Sequence, residues 1–236
     1  MNEKIIVKFE NVRKSYYLTD WTEIPVLKWV NLEIKLWEFV CLMWESGSWK
    51  STLLNIIWCL HSLSDWKYFF GDEDISHLKD DEMLSYIRNK KMWFIFQQFH
   101  LIPKLTAIEN VLLPCMYLKK TRSEKINMAK TLLQKVGLWE KYNSKPWELS
   151  GWQQQRVSIA RSLINNPDIL LADEPTWALD SNTMIEIMNL IKELKREWKT
   201  IIMVTHTPLV AKYSDRIIFL KDWKVESCDY KLKFND

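Results

Sequence analysis

The chain has 236 residues, 27% of them charged, and a net charge of +3. That length fits one large domain or two small ones, the charge is too small to point to nucleic acid or an anionic membrane, and no apolar run approaches the ~20 residues that span a bilayer. One pair of counts is out of line: 14 Trp stand beside only 4 Gly, where average usage of about 7% would give roughly 17 glycines.

The opening M-N-E-K-I-I-V-K-F-E alternates apolar and charged residues and carries acids. Ile5–Phe9 therefore reads as a first strand and not as part of a signal peptide. Val26–Val30 and Leu32–Ile34 continue the β-rich start. Glu38–Met43 is an apolar strand running into W-E-S-G-S-W-K-S-T, and Leu53–Leu60 follows with a helical apolar pattern. Lys67–Phe70 reads as a strand after a turn at Asp65-Trp66, Asp80–Asn89 as a helix and Trp93–Phe96 as a strand. Thr106–Ile164 is mostly helical, with breaks near Lys119–Thr121 and at Gly137 and Pro146. Asp168–Ala172 and Thr200–Val204 have the apolar run of parallel strands covered on both faces. Ser181–Glu197 reads as an amphipathic helix that turns Ile185, Met188, Ile191 and Leu194 inward. Ile217–Leu220 and Lys224–Glu226 form a closing hairpin. Strands alternating with helices predict an α/β fold with a mostly parallel sheet.

Other residues carry weaker signals. The four cysteines, Cys41, Cys59, Cys115 and Cys228, show no C-x-x-C spacing and read as buried free thiols of a reducing compartment. His61, His77 and His100 read as surface or loop residues. Asp80, Asp81 and Glu82 read as helix N-terminal acids.

The strongest motif is Trp44–Ser51, W-E-S-G-S-W-K-S, set against the phosphate-cradling pattern G-x-x-x-x-G-K-[ST]. Gly47, Lys50 and Ser51 are in place, after a strand and before a helix. Backbone N–H groups at a helix N-terminus bind phosphate oxygens. The lysine reaches the β- and γ-phosphates, and the hydroxyl reaches Mg²⁺. Both flanking glycines of the pattern are Trp here, where unusual backbone angles and close approach call for Gly.

The remaining landmarks, in order, resemble the ATP-binding-cassette (ABC) ATPases. Leu149–Arg156, L-S-G-W-Q-Q-Q-R, is similar to that family's signature. Ile169–Pro175, I-L-L-A-D-E-P, resembles its Walker B strand and following Glu, and Ala178–Asp180 its D-loop. Phe96–Phe99 resembles the Q-loop, and Val204–His206 ends in the switch histidine. The match covers nearly the whole chain, and wording such as D-E-P-T-x-A-L-D-S looks most like the lipoprotein-release and macrolide-export group (LolD/MacB-like). The fold this implies is a P-loop NTPase (RecA-like) core with an N-terminal antiparallel β subdomain and an inserted α-helical signature subdomain. About 1–97 and 160–236 would form the core and about 98–159 the helical part of a single domain.

The resemblance also implies roles, with ATP and Mg²⁺ as cofactors. Tyr16 would stack on adenine. Trp44, Glu45, Ser46, Gly47, Ser48, Trp49, Lys50, Ser51 and Thr52 would hold the phosphates, while Ser51, Gln97 and Asp173 would hold Mg²⁺. Glu174 would be the general base, His206 would meet the γ-phosphate, and Gln97 would complete the catalytic set. Ser150, Gly151, Trp152 and Gln153 would close on the γ-phosphate of a second protomer, with Asp180 crossing the interface. The chain would then be an ATPase at the cytoplasmic face of the cell membrane. It would pair as an ATP-sandwich homodimer and drive a separately encoded permease that docks in part on Phe99–Pro114. Nucleic acid would not be a partner. The rivals are a catalytically dead cassette, a soluble non-transport cassette acting on ribosomes or DNA, and a nucleotide-binding regulator.

Against the family pattern, Trp44, Trp49, Trp152 and Trp177 occupy Gly positions. Trp66 and Trp223 follow Asp where hairpins favour Asp-Gly, and Trp198 follows a helix where a C′ Gly is expected. Trp21, Trp29, Trp37, Trp58, Trp93, Trp139 and Trp147 resemble Gly sites of family members too, leaving none as an ordinary core Trp. This predicts a gene that uses UGA for glycine, translated on paper as tryptophan.

Overall fold

Alternating burial along β1 (Ile5–Tyr17) and β2 (Glu23–Lys35) makes them long antiparallel partners, with Phe9 opposite Leu32 and Val12 opposite Val30. Both strands run further than their apolar patches foretell, because bulges let the pairing continue past polar residues. The computed structural model describes residues 4–44, 49–61, 65–76, 78, 81–197, 199–221 and 224–228. After β2 come β3 (Phe39–Trp44), α1 (Trp49–Ile57), β4 (Asp65–Phe70) and β5 (Glu73–Asp74). The first sheet has the order β2-β1-β4-β5 and is antiparallel throughout.

The chain continues through α2 (Asp81–Tyr86), a π-helical turn at Ile87–Lys91, and β6 (Met92–Ile95). A helical stretch then holds α3 (Ala107–Leu112), α4 (Arg122–Lys135) and α5 (Gly151–Leu163), joined by short 3₁₀ turns. Each of these three helices starts with a capping box: Thr106 with Glu109, Thr121 with Glu124, and Ser150 with Gln153. The helix α4 ends on Gly137 at φ 74°, where a Cβ would come within 3.1 Å of the Arg156 guanidinium. The chain then returns to the sheet through β7 (Ile169–Asp173), α6 (Ser181–Arg196), β8 (Thr200–Val204), α7 (Pro208–Ala211), β9 (Arg216–Lys221) and β10 (Lys224–Cys228).

The second sheet has the order β10-β9-β3-β8-β7-β6 and is parallel from β9 to β6. Its central strands are apolar on both faces because both faces are covered. Ile202 and Val204 of β8 point into the core shared with the first sheet and α1, while Ile201 and Met203 point into the core under α5 and α6. Cys41, Cys59 and Cys115 are buried free thiols, and burial pushes the Cys59 thiol up to about 11. Cys228 has its side chain outside the described residues, as has His77.

Two expectations about the elements fail. The helix α6 buries Met184, Ile187, Met188, Ile191 and Leu194, while Ile185 is 41% exposed. The true stripe starts one residue earlier, and the four residues chosen from the pattern take only three of its members. Trp66 lies inside β4 and not in a turn, because β4 begins to pair at Asp65, opposite Arg13.

The tryptophans divide into distinct environments. Trp21, Trp29 and Trp37 have φ of 63°, 56° and 63°, a left-handed conformation that costs an L-residue roughly 1–2 kcal/mol. All three are exposed, Trp21 to 84%. Trp139, Trp147 and Trp177 are exposed as well. Trp58 and Trp93 depart from the expectation that no Trp serves the core. Both pack on apolar clusters, and Trp58 lies 4.8 Å from the Phe94 ring. Both nevertheless bury an indole N–H with no hydrogen-bond partner, which is costly. Trp198 and Trp223 lie outside the described residues.

The α6 stripe predicts a sharp contrast between neighbours. Ile187→Ala will lower unfolding free energy by about 2–5 kcal/mol, whereas Ile185→Ala will change it by about 0.5 kcal/mol or less, both read from urea denaturation.

Candidate nucleotide site

Parallel pairing brings four chain segments to one edge of the second sheet. Leu42 on β3 pairs with Val204 on β8, Val204 with Asp173 on β7, and Ala172 on β7 with Ile95 on β6. The carboxyl ends of these strands therefore stand side by side, about 4.8 Å apart. In open α/β sheets, ligands bind in the crevice outside such ends. β3 leads to the predicted phosphate loop, and β8 to Thr205 and His206. Asp173 and Glu174 end β7, and Gln97 follows β6.

Glu174 is the most constrained residue of this edge. Its φ is 42° and its side chain is buried. Its backbone N–H donates to the Val204 carbonyl at 2.9 Å, and its Oε2 lies 2.9 Å from Nδ1 of the half-exposed His206. A non-glycine residue at positive φ costs energy and is retained where the surroundings require it, which happens often at functional sites. The His206 ring lies 5.2 Å from the Trp177 ring. Asp173 is half-buried at the strand end, and Thr205 N–H donates to the Leu42 carbonyl at 3.2 Å, tying β8 to β3. Gln97 is half-buried just past β6.

Other predicted residues sit apart from this group. The Tyr16 hydroxyl lies 3.0 Å from His61 Nδ1, with the Lys14 ammonium 5.2 Å from the ring. That polar contact on His61 was not foreseen from its loop position. Thr52 is buried in α1. Ser150 caps α5 and accepts from the Gln153 N–H, while Gln153 Oε1 accepts from the Ser150 N–H at 2.9 Å. A Cβ on Gly151 would stand 3.7 Å from the Phe99 ring, an ordinary contact. Trp152 is half-buried with the Arg156 guanidinium 5.0 Å from its ring. Among the described residues, none of Ser150–Gln153 hydrogen-bonds to Asp173, Glu174 or His206. Asp180 caps α6, accepting from the Asn182 and Thr183 N–H groups. Glu45, Ser46, Gly47 and Ser48 lie outside the described residues. So do the side chains of Trp44, Trp49, Lys50 and Ser51.

Comparison with known proteins decides the family. A model of the ABC transporter family matches residues 27–177. The chain belongs to the ABC transporter family. Its place there is that of the ATP-binding, ATP-hydrolysing cassette. It is 48% identical to the uncharacterized ABC transporter ATP-binding protein YvrO of Bacillus subtilis, over 92% of this chain and 94% of that one. It is 46% identical to the macrolide export ATP-binding/permease protein MacB of Campylobacter fetus, over 94% of this chain but only 34% of MacB. The cassette thus spans about a third of the length of that relative. Among solved structures, the MJ0796 cassette dimer in a post-hydrolysis state with ADP and Pi superposes with a TM-score of 0.85. It has 47% identity over 94% of this chain and 97% of that one. These relatives place the cassette with the LolD/MacB-like group.

Two residues were missed in the sequence. Arg161 and Asn110 are buried polar groups that grip the loop after Gln97. A single Arg inside the apolar run of I-A-R-S-L was the available signal.

Asp180 yields a pH prediction. Hydrogen bonds from the Thr183 side chain and backbone hold its carboxyl below the ordinary value of 3.8. A depressed carboxyl stabilises the fold above its ordinary value, and this is lost as pH falls through the depressed one. The Tm gap between the wild type and Asp180→Ala will therefore be full at about pH 7 and shrink as pH drops below 3.8, read by thermal scans.

Proposed function

We propose that this cassette hydrolyses ATP with Glu174 as the general base and works as a head-to-tail homodimer under a separately encoded permease at the cytoplasmic face of the membrane. The observation that carries the reading is the buried Glu174 carboxylate, held 2.9 Å from His206 where β7 and β8 end beside β3. Glu174 takes the proton of the attacking water, and His206 keeps the carboxylate aimed from Nδ1, leaving Nε2 toward the γ-phosphate. Lys50 and the backbone of Ser46–Thr52 hold the phosphates, and Tyr16 meets adenine once its hydroxyl leaves His61. Ser150, Gly151 and Gln153 face the γ-phosphate of the second protomer, with the N-terminus of α5 aimed at it, and Asp180 lies at that interface.

The donor set suits Mg²⁺, which takes hard oxygen ligands from one or two carboxylates and fills its shell with phosphate oxygens and water. Asp173 and Gln97 offer such oxygens at adjoining strand ends, and Ser51 would be the third ligand. When bound, the ion offsets negative charge on the β- and γ-phosphates.

The permease reading draws on the MacB relatives, which carry permease and cassette in one chain. It draws also on a groove of about 740 Å³ whose apolar lining, apart from the Trp positions, is Leu60, Tyr86, Leu113, Pro114 and Tyr117. A helix of the membrane subunit is the occupant it fits. Part of the stretch expected to dock, Leu113–Pro114, lines this groove. Within that stretch Ile102 is exposed, while Leu101 and Leu105 are half-buried.

The same reading takes glycine as the residue the cell inserts at the 14 Trp positions. Its structural support is the left-handed backbone at Trp21, Trp29 and Trp37 and the partnerless indole N–H groups of Trp58 and Trp93. The gene should show UGA at these positions and tryptic peptides from the native cells should carry glycine; UGG codons or tryptophan-bearing peptides overturn this. Independently, Trp37→Gly will have a higher Tm than Trp37→Ala, because only glycine adopts positive φ without strain.

Glu174→Gln in the glycine-bearing protein will cut phosphate release by about 10²–10⁴-fold. It will retain ATP binding and accumulate as an ATP-bound dimer in light scattering. Turnover equal to the parent would remove Glu174 from its role.

A further inference from the structure

We propose that Arg161 is a positioning residue that locks the turn after Gln97 onto the signature helix, so that the metal-side glutamine and the signature turn are set by one clamp. The proposal rests on the role given to Gln97 above.

Arg161 lies on α5, about three turns beyond Ser150, and is buried. Its guanidinium donates to two successive backbone carbonyls, Nη1 to His100 and Nη2 to Phe99, each at 2.7 Å. Nη2 also reaches Ser158 Oγ at 3.4 Å. Among the described residues no carboxylate forms an ion pair with it, so the charge is met by dipoles alone. Burial accordingly lowers its pKa to about 10. A buried cation without a counter-ion is an expensive way to pack a helix, and an apolar side chain of similar size is often no worse. What an apolar residue cannot do is hold two carbonyls in one plane, as a guanidinium fork does.

The loop is shaped to meet this fork. His100 has a φ of 47°, a left-handed turn that lets its carbonyl and that of Phe99 face the same guanidinium. The Phe99 ring lies against Gly151, the first residue of α5, and the His100 ring packs edge-on to Phe96 at 4.7 Å. Further on, the buried Asn110 of α3 binds the carbonyls of Ile102, Leu105 and Thr106 and takes the Ile102 N–H. From Phe99 to Thr106 the backbone is thus gripped by α5 and α3. Gln97 and Gln98 are left as the joint between that clamped arm and β6. A change in the tilt of α5 would move Phe99 and His100 directly, and through them Gln97.

The test compares the parent, Arg161→Met and Arg161→Lys, all in the glycine-bearing full chain. Met keeps length and loses every donor, while Lys keeps a donor and serves as the conservative variant should Met fail to fold. Hydrogen exchange without nucleotide reads the clamp alone. Amides of 98–102 should exchange about tenfold faster in Arg161→Met than in the parent, with β7 amides unchanged. Steady-state kinetics then read positioning. kcat should fall about 10–100-fold, as for other outer-shell partners. The Mg²⁺ concentration for half-maximal rate should rise, KM for ATP should stay within about twofold, and Lys should restore part of kcat. Unchanged exchange at 98–102 overturns the clamp. Faster exchange with unchanged kcat and Mg²⁺ dependence overturns the positioning role. An inactive parent counts against the ATPase reading, and the exchange result still decides the clamp.

Discussion

Everything at the nucleotide site depends on the parallel ladder β3-β8-β7-β6. Its hydrogen bonds fix which residue of each strand ends level with which neighbour, and a slip of one residue would turn every side chain to the opposite face. Val204, Asp173 and Ile95 end their strands at nearly one level, and Leu42 of β3 stands at that level two residues before its strand ends. The ends of β8, β7 and β6, and with them His206, the Asp173–Glu174 pair and Gln97, are therefore set side by side beside β3 although far apart in sequence. The apolar faces of the strands, buried above and below, supply the energy that holds this register.

The ladder accounts for what sequence reading could reach. Long apolar runs such as I-L-L-A-D and T-I-I-M-V announce strands covered on both sides, and the motif residues fall at their ends. The candidate site was legible only to the extent that Asp173, Glu174, His206 and Gln97 follow these strongly patterned strands. What escaped detection was governed by tertiary contacts. The inward face of α6 depends on how the helix rolls against the sheet, so Met184 and Ile187 are buried where pattern alone chose Ile185. The start of β4 depends on a partner strand brought by distant chain. Arg161 acts on backbone carbonyls 61 and 62 residues away, a contact no local pattern encodes.

The tryptophans are legible in the opposite sense, through disagreement between residue and backbone. Left-handed φ at three of them, orphaned indole N–H groups at two others and exposed rings at several more are local conflicts of a kind a foldable sequence avoids. Glu174 and His100 also sit at positive φ, but each lies in a tight polar setting that uses the turn: one is bonded to His206, the other offers its carbonyl to Arg161. At Trp29 and Trp37 the backbone of the turn is also engaged, by Asn31 and Thr200, yet those bonds are made by main-chain atoms that glycine would supply equally well.

The position of Trp21 has a consequence for how the gene behaves outside its own cells. It lies between β1 and β2, before the first hairpin is complete. If its codon is UGA, a ribosome that takes this triplet as a stop would release only β1, an extended strand whose antiparallel partners are all encoded downstream. Such a fragment has no partner to pair with and no core to enter. The first interrupted turn of the fold would then confine the gene to hosts that share its reading of the code, well before the nucleotide site is ever made.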